Sequence, residues 1–95
     1  MTIAKIPIIL DKVKKEDIDK QILRAAIIAE LDAISLYEQL ANMTDKKDLK
    51  SVLLDVAKEE KEHVGEFQYL LLKHDEQQTK ELEDGKKEVQ ELLGE

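Results

Sequence analysis

Apolar positions along this chain fall into two long stretches of helical period. In the first, Leu23, Ile27, Ile34 and Ala41 recur along one line, with Ile22, Ala26, Ala29, Ala33, Leu36 and Leu40 along a second. Steps of three and four with two adjacent stripes describe a helix with a wide apolar face. Asp17 or Asp19 can cap its start, and the pattern stops near Asn42–Met43. Thr44-Asp45 then reads as a new N-cap, with Asp48 in the first turn, where the helix dipole favours an acid. Leu49, Val52, Leu53, Val56, Phe67, Leu70 and Leu71 carry a second helix to about Lys73–His74. The predicted spans are 17–43 and 45–74. So short a connection predicts an antiparallel hairpin.

The ends differ. Over 1–16, Ile3, Ile6, Ile8, Ile9 and Leu10 are apolar but Pro7 breaks any helix, which predicts an extended arm packed on its own or a partner subunit. Beyond Asp75 the chain turns polar. Within a helical tail over 76–95, Thr79 to Leu93 predicts one or two short helices around Gly85, with Leu82, Val89, Leu92 and Leu93 as a thin stripe. The expected fold is all-α: one domain over 1–95, a two-helix hairpin with a short C-terminal helix. No internal repeat or low-complexity run is present.

Composition narrows the classes. Ninety-five residues make one small domain. The chain has no cysteine, which excludes disulfide frameworks, thiolate catalysis, zinc ribbons and iron–sulfur ligation. A net charge of −7 with 3% aromatics leaves nucleic acid without its usual cations and stacking surfaces. No apolar stretch, Ile6 to Leu10 included, comes near the length of a membrane helix. Met1 to Leu10 does not read as a signal peptide, so the cytoplasm is the expected compartment. Apolar residues at 42% against 39% charged indicate a folded chain. Two long helices cannot enclose a core alone, so an oligomer is expected before any motif is considered.

The second helix carries an anomaly. Alternating steps of three and four run through Leu53, Val56, Glu60, His63, Phe67, Leu70 and His74. Glu60 and His63 thus interrupt an otherwise apolar seam. On the first helix the seam Leu23, Ile27, Glu30, Ile34, Tyr37, Ala41 is interrupted by Glu30 in the same way. A buried unpaired carboxylate costs several kcal/mol or takes up a proton, and two facing carboxylates repel. A cation between them removes both difficulties. A hydrogen-bonded polar network is the other reading.

Glu60-x-x-His63 places an oxygen and a nitrogen donor on adjacent turns, and Glu30 offers a carboxylate from the facing helix. That is half the donor set of a di-metal carboxylate four-helix bundle, which takes Glu from two helices and Glu-x-x-His from the other two. Two copies about a two-fold axis complete it, so donor count and core size both ask for a dimer. Such donors suit iron, manganese or zinc. Height agrees as well. Glu30 lies about 14–15 residues before a turn at 44–45 and Glu60 about 15–16 after it, nearly level at ~1.5 Å per residue.

Ala29-Glu30-Leu31-Asp32-Ala33-Ile34-Ser35-Leu36-Tyr37-Glu38, followed by Glu59-Glu60-Lys61-Glu62-His63, resembles the encapsulated ferritins, rubrerythrin-related half-ferritins whose iron site forms on dimerisation. The match spans about residues 20–74. The resemblance implies a ferroxidase that oxidises Fe(II) with oxygen at a di-iron site shared by two subunits, two irons per dimer. It also implies a homodimer built into an open ring and an encapsulin shell that stores the iron. Carried over by position, Glu30, Glu60 and His63 are the metal ligands, with Tyr37 beside them. Two features depart from bacterial relatives. Leu31 and Ala33 stand where those relatives carry acidic residues of an iron entry site, and Gln90–Glu95 shows no shell-targeting peptide. Some archaeal relatives are fused to the shell, so this chain is either free-standing or a domain of such a fusion. A rubrerythrin-type peroxidase would need a Cys₄ iron site, which this chain cannot build.

The remaining residues carry blander readings. Tyr37 is either a core aromatic or a residue supporting the site. Glu59, Glu62 and Glu66 read as a solvated face, with a secondary cation site as the alternative. His74 lies roughly 16 Å beyond His63 along the helix and cannot share its metal. Gly65 in mid-helix suggests close helix approach. The competing functional class is a non-catalytic helical association module. A zinc hydrolase is a third, and it lacks a nucleophile or lid.

Overall fold

The computed structural model describes residues 12–95. A 3-10 turn at Lys15–Asp17 leads into α1 (Ile18–Met43), followed by α2 (Lys47–His74) and α3 (Glu76–Leu93). Among the described residues there is no strand. Most of the arm expected over 1–16 lies outside the described residues.

Helices α1 and α2, of 26 and 28 residues, are joined by Thr44–Lys46 and pack along their length as an antiparallel hairpin. The turn is made differently from the sequence expectation. Thr44 is the extended residue closing α1, its hydroxyl accepts the Lys46 N–H at 3.2 Å, and Lys46 rather than Thr44 or Asp45 is the N-cap of α2. A small hydroxyl turn displaced the capping role by two residues. Asp48 does stand in the first turn of α2, as expected. Asp17 is the N-cap of α1 but makes no side-chain capping bond.

The core of one chain is thin. Among the described residues Ala41, Ala57 and Leu71 are the buried apolar ones, and no large side chain is fully enclosed. Ile22, Leu31, Leu49, Val52, Leu54, Tyr69 and Leu70 are exposed along the hairpin. Gly65 is also exposed, and a Cβ built there meets nothing within 4 Å. Close approach of α1 is therefore not its purpose. Gly65→Ala is expected to raise stability by about 1 kcal/mol, read from urea unfolding. A loss instead would place an outside surface against that position.

The tail, predicted as one or two short helices, is the single 18-residue helix α3, continuous through Gly85. It leaves the hairpin sideways: the molecule measures 46 × 44 × 19 Å, broad in two directions and flat in the third. Asp75 makes the corner. Its Oδ1 accepts the Gln78 N–H at 3.0 Å, and its Oδ2 accepts from Arg24 Nη2 on α1 at 3.0 Å. The Thr79 hydroxyl donates back to the Leu72 carbonyl at 3.0 Å, with the Asp75 carbonyl at 3.2 Å. At the far end Gly94 takes the left-handed conformation (φ 74°) that closes a helix without a Cβ clash.

Asp75 is buried, yet its carboxyl is held below its ordinary 3.8. The Gln78 N–H contributes most; burial opposes it; the charges of Lys20 and Arg24 and the Arg24 hydrogen bond assist. A depressed folded-state pKa adds stability that is complete above the ordinary value and is lost as pH falls through the folded one. Asp75→Asn is therefore expected to flatten the acid limb of the stability curve below about pH 4. Thermal melts from pH 7 to pH 2 read this out; an unchanged limb would place the acid sensitivity elsewhere.

Candidate metal centre

The hairpin register brings mid-α1 level with mid-α2, so Glu30 faces Glu60 and His63 across the interhelical seam. His63 Nδ1 lies 3.2 Å from Glu30 Oε2 and 3.4 Å from Glu60 Oε2. One donor atom from each of the three residues falls within 4.8 Å of the others. The carboxylate side chains are mostly covered, 20% exposed for Glu30 and 18% for Glu60, whereas His63 is 42% exposed. The cluster thus opens toward the uncovered face of the hairpin.

Nδ1, the ring nitrogen nearer the backbone, is the one that meets both carboxylates. Carrying a hydrogen, it shares that hydrogen between two acceptors. Without one, it offers a lone pair to a cation that the same carboxylates hold. Two carboxylates and an imidazole form an O,O,N donor set suited to borderline divalent metals. Three residues cannot fill the coordination of even one six-coordinate ion, and the opening at His63 is where further donors can enter.

The other singled-out residues stand apart. Tyr37 is half-buried on α1, seven residues or about 10.5 Å of helix beyond Glu30. Among the described residues, no hydrogen bond joins it to the three donors. Glu59, Glu62 and Glu66 are exposed, as is His74 at the end of α2. Among the described residues no second group of three such donors converges. Lys61 of α2 pairs with Glu38 of α1 at 3.5 Å on the exposed flank. Two buried acids escaped notice in the sequence, Asp32 and Asp75. For Asp75 a signal existed: Asp75-Glu76-Gln77-Gln78 has the Asp-x-x-Gln form of a capping box.

An all-α hairpin that sets one helix's carboxylate against the next helix's Glu-x-x-His pair is half of a ferritin-like carboxylate bundle. The chain belongs to the EncFtn-like family, whose model matches residues 8–87. It is 58% identical over 74 residues to a ferritin-like–encapsulin shell fusion protein of Pyrococcus furiosus, covering 78% of this chain and 21% of that one. It is 42% identical over 57 residues to the encapsulin nanocompartment cargo protein EncC of Myxococcus xanthus, covering 60% of this chain and 44% of the relative. This chain therefore spans about a fifth and under half of the lengths of these two relatives. The crystal structure of the encapsulated ferritin domain from Pyrococcus furiosus superposes with a TM-score of 0.83 at 49% identity, over 100% of this chain and 97% of that domain. No helix among the described residues is long and apolar enough to cross a membrane.

Proposed function

We propose that the protein is a ferroxidase, oxidising Fe(II) to Fe(III) with dioxygen at a two-iron site completed by a second copy of the chain. The observation that carries this reading is the convergence of Glu30, Glu60 and His63 within 4.8 Å. Iron is the substrate here. Each Fe(II) gives up one electron; four Fe(II) with four protons reduce one dioxygen to two waters, or two with two protons give hydrogen peroxide.

The chain's own residues do three things. Glu30 and Glu60 place two negative charges where the cation's charge rises from two to three, which favours the oxidised product. His63 supplies a neutral nitrogen, Nδ1, in the tautomer that carries its hydrogen on Nε2. The opening beside His63 is filled by the partner's equivalent hairpin, so Glu30 and the Glu60-x-x-His63 set from each copy surround the pair. Among the described residues no hydrogen bond joins Tyr37 to these donors, and we assign the chemistry to the three residues alone.

The dimer is further proposed to assemble into a ring and to deliver ferric iron for storage within an encapsulin shell. The shell fusion and the cargo protein among its relatives support that setting. A second reading rests on the same contacts. His63 hydrogen-bonded to both carboxylates is also what a metal-independent association module would contain.

Anaerobic Fe(II) loading followed by desalting separates the two. The ferroxidase reading expects about one iron retained per chain, two per dimer. No retained iron leaves the triad as a polar network and the protein as an association module.

A further inference from the structure

We propose that Asp75 is a one-residue hinge latched by Arg24: with the latch closed α3 stands off to the side of the hairpin, and with it open α2 and α3 join into one helix from Lys47 to Leu93. Asp75 alone separates the two helices, at φ −137° and ψ 88°. Backbone chemistry does not demand a break there. Leu72-Lys73-His74-Asp75-Glu76-Gln77-Gln78-Thr79 contains neither proline nor glycine. A change of backbone angles at the one intervening residue restores the helix, as at a hinge.

Side chains hold the bend instead. A continuous helix would pair the N–H groups of Glu76, Gln77 and Gln78 with the carbonyls of Leu72, Lys73 and His74. In the bent joint Asp75 Oδ1 stands in for one of those acceptors, taking the Gln78 N–H at 3.0 Å. The Thr79 hydroxyl stands in for one of the donors, at 3.0 Å from the Leu72 carbonyl. These substitutes replace part of what the break forfeits, and Arg24 makes up the difference by donating from Nη2 to Asp75 Oδ2 at 3.0 Å. The Asp75 side chain is 8% exposed and that of Arg24 44%, so a covered carboxylate is held by a cation that solvent still reaches. Lys20 of α1 adds its charge at the same carboxylate. The two shapes thus differ by a handful of hydrogen bonds, the condition for a bistable element.

Arg24 lies on α1, the helix that also carries Glu30, so the latch ties the direction of α3 to the placement of α1. Whatever draws Arg24 away from Asp75 lets α3 swing from beside the hairpin into line with α2. The inference concerns the joint alone and does not rest on the iron chemistry.

Spin labels on Lys50→Cys and Lys87→Cys read the joint, since both positions are exposed and the chain has no cysteine of its own. Labelled chains are diluted in unlabelled ones, so that pairs within one chain are measured. A straight α2–α3 helix sets the labels about 56 Å apart at ~1.5 Å per residue. With Arg24 and Asp75 intact the expected distance is near or below 46 Å, the longest extent of the bent molecule. Asp75→Ala removes cap and latch together and is expected to move most chains to the long distance. Arg24→Gln keeps the Gln78 cap and the hairpin core, so it remains informative if Asp75→Ala does not fold; it is expected to split the chains between the two distances. Circular dichroism should show the helix content kept or raised in both. Either folded variant retaining only the short distance overturns the proposal. So does a broad spread of distances with loss of helix, which would make the joint a loose linker.

Discussion

Glu60→Ala is expected to abolish rapid Fe(II) oxidation, lowering oxygen uptake by at least about 100-fold while leaving the helical content unchanged. Loss of groups that merely orient metal ligands typically costs ~10–100-fold, and a direct donor should cost no less. Glu60 contributes a carboxylate and also flanks His63 Nδ1 at 3.4 Å, so its removal takes one donor and loosens another. The dimer would lose two such groups at once, one from each copy. The side chain projects into the seam beside His63, and alanine is the best helix former, so α2 itself should not suffer. Circular dichroism and a stopped-flow oxygen assay on the same preparation separate the two effects. Unchanged oxygen uptake in a folded variant would remove Glu60 from the chemistry.

Metal loading should stabilise the assembled protein strongly. An ion bound only by two chains together favours the dimer by mass action, about 2.7 kcal/mol at a hundredfold excess over its dissociation constant. For a domain of this size that corresponds to a rise in melting temperature on the order of 10 °C. The measurement is anaerobic melting with Fe(II), repeated with Mn(II) and Zn(II), alongside sedimentation to follow the dimer. Two facing carboxylates in a half-covered seam repel when nothing lies between them, so metal removal should bring dissociation as well as a lower melting point. A melting point indifferent to all three metals favours the association module.

Much of this arrangement was legible in the sequence because it depends on local spacing. The three–four periodicity of Leu23 to Ala41 and Leu53 to His74 requires two helices, and the short link makes them antiparallel. Glu30, Glu60 and His63 then meet because their distances from the turn are nearly equal, a matter of helical rise alone. What escaped depended on contacts distant in the chain or on rival local bonds. Arg24 and Asp75 are 51 residues apart, and no pattern near either announces the pairing. The turn at Thr44–Lys46 went to a hydroxyl hydrogen bond where the cap signal pointed two residues earlier. Gly85 read as a break, yet one glycine costs about 1 kcal/mol against alanine, too little to stop an 18-residue helix with a capped start and a closed end. Gly65, which suggests close helix approach, faces open space in the single chain, so α1 is not what approaches it.

The thinness of the single chain's core has a bearing on how the protein lives in a cell. Among the described residues Ala41, Ala57 and Leu71 are the only buried apolar ones, so one copy has little to hold it folded, and if the proposed dimer forms, completing the structure and finding a mate would become one event. Refolding should then speed up as the chain is made more concentrated. The protein's own abundance would set how long each molecule survives proteolysis: sparse expression yields chains that are degraded, and ample expression yields chains that protect one another. A twofold change in synthesis near that threshold would alter the standing amount by more than twofold.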